Sequence, residues 1–290
     1  MKITLKIAAF AARILPARMK AQLYQNPKLA SRIRSTLNAA APLGLTKIKI
    51  AGGLNQGLLL NLDMQTEKDY WLGTYELALQ AAIEKYCLPG MVVYDVGANI
   101  GYISMIFARQ IGKAGKVLAF EPLPDNFKRL TDNIALNDLQ AQIACFQAAV
   151  IDEPGSTTFF VHKSGAMGKA QGSLGRDEKY TSQINVPAIA LDDFIFKQNH
   201  PRPDLIKMDI EGGEVLAIQG MEKTLHDIQP TMLVEIHSHA ALDCLWKEFK
   251  TYGYRLFKME KGYPQIIDPA GLGERTYAVA VPDKKTGSHA

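Results

Sequence analysis

Two hydrophobic periods alternate along this chain. Residues 65–84 carry Tyr75, Leu77, Leu79, Ala82 and Ile83 at mostly helical spacing, and Leu88-Pro89-Gly90 stops the pattern. Apolar runs of strand length follow at 91–96, 117–120, 143–149, 205–208 and 232–236, with helical patterns over 125–136, 215–225 and 241–252. Buried strands separated by helices predict an α/β fold built on a mostly parallel sheet with helices on both faces. Two stretches break the rhythm. Residues 157–161 and 184–189 form a hairpin-like pair, and 276–281 is a last strand. Between the paired strands lies a Gly/Ser/Lys-rich loop, expected to cover an acceptor with Gly172, Ser173 and Leu174.

The head follows another pattern. Ile3, Leu5, Ile7, Phe10, Ile14 and Leu15 interleave with Lys2, Lys6 and Arg13, the spacing of a basic amphipathic helix suited to an anionic membrane surface or a partner. Its longest uncharged run, 7–12, is far short of the roughly 20 residues of a membrane span, and no secretory signal is expected. The division expected is a basic helical extension at 1–57, a main domain at 58–283 and a disordered tail at 284–290. Composition sharpens this picture. The net charge is +4, yet residues 1–50 hold ten Lys/Arg and no Asp/Glu, leaving 23 − 29 = −6 for the remainder. With basic residues concentrated in the head, no nucleic acid is expected as a partner. Cys87, Cys145 and Cys244 match no metal or disulfide spacing, so a reducing, cytoplasmic setting is expected, with peripheral contact at the inner membrane face.

The candidate chemistry begins at "VVYDVGANIGYIS". A strand ends at Asp95, and Gly97 and Gly101 flank Asn99 before a helix resumes. In an open α/β sheet, ligands bind beyond the carboxyl ends of the strands at the switch point. Glycines there admit close backbone approach, and the helix offers unpaired N–H groups. The dinucleotide fingerprint lacks its third glycine, and no phosphate-cradling GxxxxGK[ST] occurs. Glu121, twenty-four positions beyond Gly97 at the end of the next strand, suits a ribose diol. Acid, bare turn and second acid fit a nucleoside carrying a positive group.

These stretches, with "PDLIKMDIEGGEVLAIQGM" and "LVEIH", resemble the FkbM family of class I S-adenosylmethionine-dependent methyltransferases across roughly residues 74–282. The resemblance implies a Rossmann-like, seven-stranded class I methyltransferase sheet, bound S-adenosyl-L-methionine, and O-methylation of a hydroxyl on a sugar, glycolipid or natural product. It assigns Asp95, Gly97, Asn99 and Gly101 to the cofactor turn, Glu121 to the ribose, and Tyr75 and Glu76 to a segment folding over the cofactor.

A second cluster, "KMDIEGGE", crowds Asp209, Glu211 and Glu214 beside Lys207. Acids at a helix start are favoured by the helix dipole alone, which accounts for Glu214. Asp209 and Glu211 should face the same crevice as Asp95; Glu211 is placed with the cofactor and Asp209 with catalysis. Glu235, His237 and His239 alternate on the next strand and point one way. Attack by an alcohol needs a base within hydrogen-bond reach, and His237 or Asp209 is the candidate, with Lys207 orienting a carboxylate or the acceptor. Asp209, Glu211, Glu235 and His237 together are chemically able to hold a divalent cation, but the spacing is not diagnostic and no metal is assigned. A nucleotide-binding oxidoreductase and a non-catalytic cofactor-binding module remain as alternatives. The first is disfavoured by the missing glycine, the second by the intact acidic clusters.

Overall fold

The computed structural model describes residues 3–14, 27–163, 167–174 and 180–283. The expected tail at 284–290, and parts of the head and of the loop after His162, lie outside the described residues.

Seven strands form the central sheet: β3 (Val92–Val96), β4 (Lys116–Phe120), β5 (Ile143–Phe146), β10 (Leu205–Met208), β11 (Thr231–Ile236), β12 (Tyr254–Lys258) and β13 (Thr276–Pro282). Their spatial order is β12-β13-β11-β10-β3-β4-β5. All neighbours pair in parallel except β13, which is antiparallel to β11 and β12. This is the seven-stranded, mostly parallel sheet that the sequence resemblance implies. The chain runs outward from β3 to β5 and returns to β10, so the switch point lies between β3 and β10. Strands β3 and β10 are almost wholly buried, as the continuous apolar runs require.

Helices α1 (Ile3–Ile14) and α2 (Pro27–Ala40) precede a hairpin of β1 (Leu45–Lys49) and β2 (Leu59–Asp63). The division expected after residue 57 falls between these two strands, and β2 is stitched to the main body. Asn133 Oδ1 accepts the Asn61 N–H and Asn137 Oδ1 accepts the Leu59 N–H, both at 2.8 Å. Asn133 Nδ2 also donates to the Ile100 carbonyl at 2.9 Å, so the hairpin braces the turn after β3.

The helix expected over 65–84 is two helices, α3 (Lys68–Leu72) and α4 (Leu77–Tyr86), because Gly73 ends the first in a left-handed conformation. Helices α5 (Tyr102–Ile111) and α6 (Pro124–Ala135) follow β3 and β4; α7 (Glu214–Gln219) and α8 (His239–Thr251) follow β10 and β11. The run at 143–149 divides at Phe146, whose carbonyl accepts the Ala148 N–H, and the chain leaves the central sheet. Beyond it, β6 (Ala149–Val150), β7 (Gly155–His162), β8 (Gly168–Ala170) and β9 (Tyr180–Ile189) form a second sheet in the order β6-β9-β7-β8. The hairpin-like pair is its β7 and β9, in register Thr157↔Val186.

Candidate active site

A cavity of about 510 Å³ opens at the carboxyl ends of β3, β4 and β10, a size that holds a small organic ligand. The second sheet roofs it with Phe159, Met167, Gly168 and Ala170. The segment after β8, expected to cover an acceptor with Gly172, Ser173 and Leu174, is tied down with none of the three on the cavity wall: the Leu174 N–H donates to the Gly212 carbonyl at 3.0 Å, and Ser238 Oγ donates to the Leu174 carbonyl.

The β3 side is made of backbone. Gly97 and Ala98 both donate to the Phe120 carbonyl, at 3.0 and 2.9 Å, which folds the turn onto the end of β4. Gly97 has φ +79°, and a Cβ there would lie 2.0 Å from the Asp209 carbonyl oxygen. No side chain fits. Gly101 starts α5 with φ +87°, and its Cβ would meet Leu130 at 2.7 Å; this glycine packs α5 on α6 and does not line the cavity. Glu121 does line it, taking the Asn99 N–H at 2.9 Å on Oε2 and the Leu123 N–H at 3.0 Å on Oε1, with Asn126 nearby. Burial pushes the Glu121 carboxyl up to about 7, against those hydrogen bonds.

Asp95 lies behind this turn. It is fully buried, accepts a 2.6 Å hydrogen bond from Ser104 Oγ and sits 3.2 Å from Lys207 Nζ, its register partner on β10. The structure therefore directs its carboxylate into the protein rather than to a ligand. Lys207 is equally committed, donating to the Gly97 carbonyl at 2.8 Å and lying 3.9 Å from Asp209. Its ammonium reaches the cavity wall as a tether across the switch point.

The β10–β11 side is made of side chains. Asp209, Glu211 and Glu76 line the cavity. The Glu76 and Asp209 carboxyls are both raised, first by burial; Glu235 repels both and Glu76 also repels Asp209, with Lys207 opposing. His237 does not line the cavity; it is fully buried among acids. Nδ1 is 3.1 Å from Glu214 Oε1, and Nε2 is 3.2, 3.5 and 3.7 Å from Glu235, Asp209 and Glu211. The carboxylates outweigh desolvation and push the imidazole up to about 11. His237 stands behind the wall that Glu76, Asp209 and Glu211 line, so these carboxylates, rather than the imidazole, are the groups placed to meet an acceptor in the cavity. Glu235 is held by Arg275 from the start of β13. His239 begins α8 and is absent from the cavity wall.

Several wall residues carry no local signal in the sequence. Tyr70 and Tyr102 meet Tyr75 with ring centroids 4.3 and 5.9 Å away, and Arg275 and Tyr277 arrive from β13. Glu76, Asn99 and Glu211, all on the wall, have φ of +45°, +50° and +55°. Non-glycine residues in this region cluster at functional sites.

Residues 95–256 match the Methyltransferase FkbM domain. The hexuronic acid methyltransferase AglP of Haloferax volcanii is 28% identical over 147 residues, which is 51% of this chain and 56% of AglP, so the match spans just over half of that relative. The 31-O-demethyl-FK506 methyltransferase FkbM of Streptomyces tacrolimicus is 29% identical over 175 residues, 51% of this chain and 66% of that protein. The 2-O-methyltransferase NoeI of Sinorhizobium fredii is 27% identical over 191 residues, 59% of this chain and 76% of NoeI.

Proposed function

Because this chain belongs to the FkbM methyltransferase family, we propose that it transfers a methyl group from S-adenosyl-L-methionine to a hydroxyl on a sugar, glycolipid or natural-product acceptor. The observation that carries this reading is the joining, in one cavity, of a side-chain-free turn at Gly97 with the buried acid Glu121 and the carboxylates Asp209 and Glu76. The fit to the cofactor is chemical. Glu121 keeps lone pairs for a ribose diol, Gly97, Asn99 and the Asn99 N–H side of the turn admit close contact, and the acidic floor at Glu211 favours a sulfonium over a pyrophosphate. When bound, the cofactor supplies an activated methyl group.

The chain's own residues then have separable tasks. Lys207 and Asp95 hold β3 and β10 together so that the turn and the carboxylates keep a fixed spacing, and positioning supplies much of the acceleration in a displacement reaction. Asp209 and Glu76, both on the cavity wall and both raised by burial and by Glu235, are the pair that takes the acceptor hydroxyl's proton. The roof from β7 and β8 covers one side of the cavity with Phe159, Gly168 and Ala170. The names of AglP, FkbM and NoeI support hydroxylated sugars and natural products as the acceptor class. Among the described residues no helix is long and apolar enough to cross a membrane, while the exposed Ile3, Ile7 and Phe10 beside Lys6 support peripheral contact of the head.

The test is release of S-adenosylhomocysteine with a panel of uronic acids, glycosides and hydroxylated macrolides. Turnover by the wild-type chain, lowered 10²–10⁴-fold in Asp209→Asn with cofactor affinity retained, is expected. Full activity of Asp209→Asn together with Glu76→Gln would remove the proposed base.

A further inference from the structure

The geometry points to a divalent transition-metal site at the floor of this cavity, with His237 Nε2, Asp209 Oδ1 and Glu211 Oε2 as its protein ligands. These residues, with Glu235, sit at the ends of β10 and β11, and the three ligand atoms lie within 4.8 Å of one another. An acidic cluster alone would not define a site. The second observation is His237, which is fully buried and whose Nε2 makes no hydrogen bond although three carboxylates converge on it. Their oxygens stand 3.2–3.7 Å from Nε2. Two ligands at metal distances of about 2.1 Å and a tetrahedral angle stand about 3.4 Å apart, close to the 3.5 Å of Asp209 and the 3.7 Å of Glu211.

The tautomer is also prepared. Glu214 Oε1 accepts from the Ile210 N–H at 3.0 Å and lies 3.1 Å from His237 Nδ1. A carboxylate on Nδ1 directs the Nε2 lone pair outward, the outer-shell pattern of metal-ligating histidines. Charge balance agrees. Glu76, Asp209, Glu211, Glu214 and Glu235 crowd one junction where Lys207 is shared with Asp95 and Arg275 is held by Glu235, and a divalent cation lowers their mutual repulsion. An imidazole in the set favours zinc or iron, for which cobalt is a spectroscopic stand-in, over magnesium or calcium, which take oxygen.

Asp209 and Glu211 line the cavity, so the ion's remaining positions face the acceptor. There it would bind the acceptor hydroxyl as a Lewis acid, leaving Glu76 as the carboxylate that takes the proton. This role rests on the methyltransferase reading; the binding of the ion does not. Uptake of the ion displaces the Nε2 proton to solvent.

The experiment is titration of the full chain, freed of metal by chelation, with Co²⁺, followed by visible absorption and calorimetry. One Co²⁺ per chain is expected, with ligand-field bands, displaced by Zn²⁺ and not by equimolar Mg²⁺. Glu214→Gln should weaken binding about 10–100-fold and His237→Gln by more. Should His237→Gln fail to fold, Glu211→Gln decides, since that side chain is already 23% exposed. No stoichiometric uptake, or uptake unchanged in folded Glu211→Gln, would leave an acid–imidazolium network only and overturn the site. Binding of S-adenosylhomocysteine by the same metal-free samples, measured separately, reports on the methyltransferase reading alone.

Discussion

The two floors of the cavity are built by opposite means. Beneath the β3 turn each acid is matched by donors or by a cation: Asp95 by the Ser104 hydroxyl and, at its Oδ1, by the Lys207 charge without a hydrogen bond, Glu121 by the Asn99 and Leu123 amides, while the Gly97 N–H is taken by the Phe120 carbonyl. Beneath the β10–β11 junction acids outnumber cations, and buried atoms of His237 and Glu235 make no hydrogen bond. A charge-matched surface selects a ligand by shape, whereas one with an excess of acids retains charge for chemistry or for an ion. The difference teaches that the recognisable glycine turn and the reactive carboxylates answer to separate constraints and should fail separately when mutated.

The largest expected effect is at the turn. Gly97→Ala combines φ +79° with a Cβ 2.0 Å from a backbone oxygen, so the turn must move. Loss of S-adenosylhomocysteine binding by about 100-fold or more is expected in calorimetry, together with a fall in urea stability of about 3 kcal/mol. Next comes the anchor behind it. Lys207→Met leaves Asp95 buried and unpaired, an expected cost of about 3–5 kcal/mol in urea unfolding, which Asp95→Asn in the same chain should partly restore.

Glu121 gives a smaller effect with a distinct sign. Its carboxyl is raised from 4.5 to about 7 by burial, so relative to Glu121→Gln its contribution to stability is fully present below pH 4.5 and is lost as pH rises through 7. Cofactor affinity moves oppositely, because the diol donates to the ionised form; it should weaken as pH falls below about 7 and become flat in Glu121→Gln. The smallest effect lies far from either floor. Lys128→Ala removes an exposed i,i+4 pair with Asp132 and should change stability by no more than about 0.5 kcal/mol and leave binding unaltered.

Much of the β3 floor was legible in the sequence, because it is local: an apolar run, two glycines around Asn99, and an acid at a fixed distance on the next strand. The parallel sheet was legible for the same reason, from runs buried on both faces. What the spacing could not show was direction. Asp95 is one residue from the turn, yet its side chain faces Lys207, a partner 112 positions away whose register only the fold sets. The sequence groups His237 with Asp209, Glu211 and Glu235, but does not show its burial behind the cavity wall or its pairing with Glu214 on α7. The left-handed backbone at Glu76 and Glu211 has no residue-type signature, since glutamate is not selected for that conformation as glycine is. The β1–β2 hairpin was hidden by a short, half-exposed β1, whose alternation carries little hydrophobic signal.

The most direct test of the cofactor floor is calorimetric titration of the full chain with S-adenosylmethionine and, separately, with NAD. Micromolar binding of S-adenosylmethionine at one site, none of NAD, and a marked loss in Glu121→Ala are predicted. Binding of NAD instead, or undiminished binding of S-adenosylmethionine by Glu121→Ala, would contradict the account.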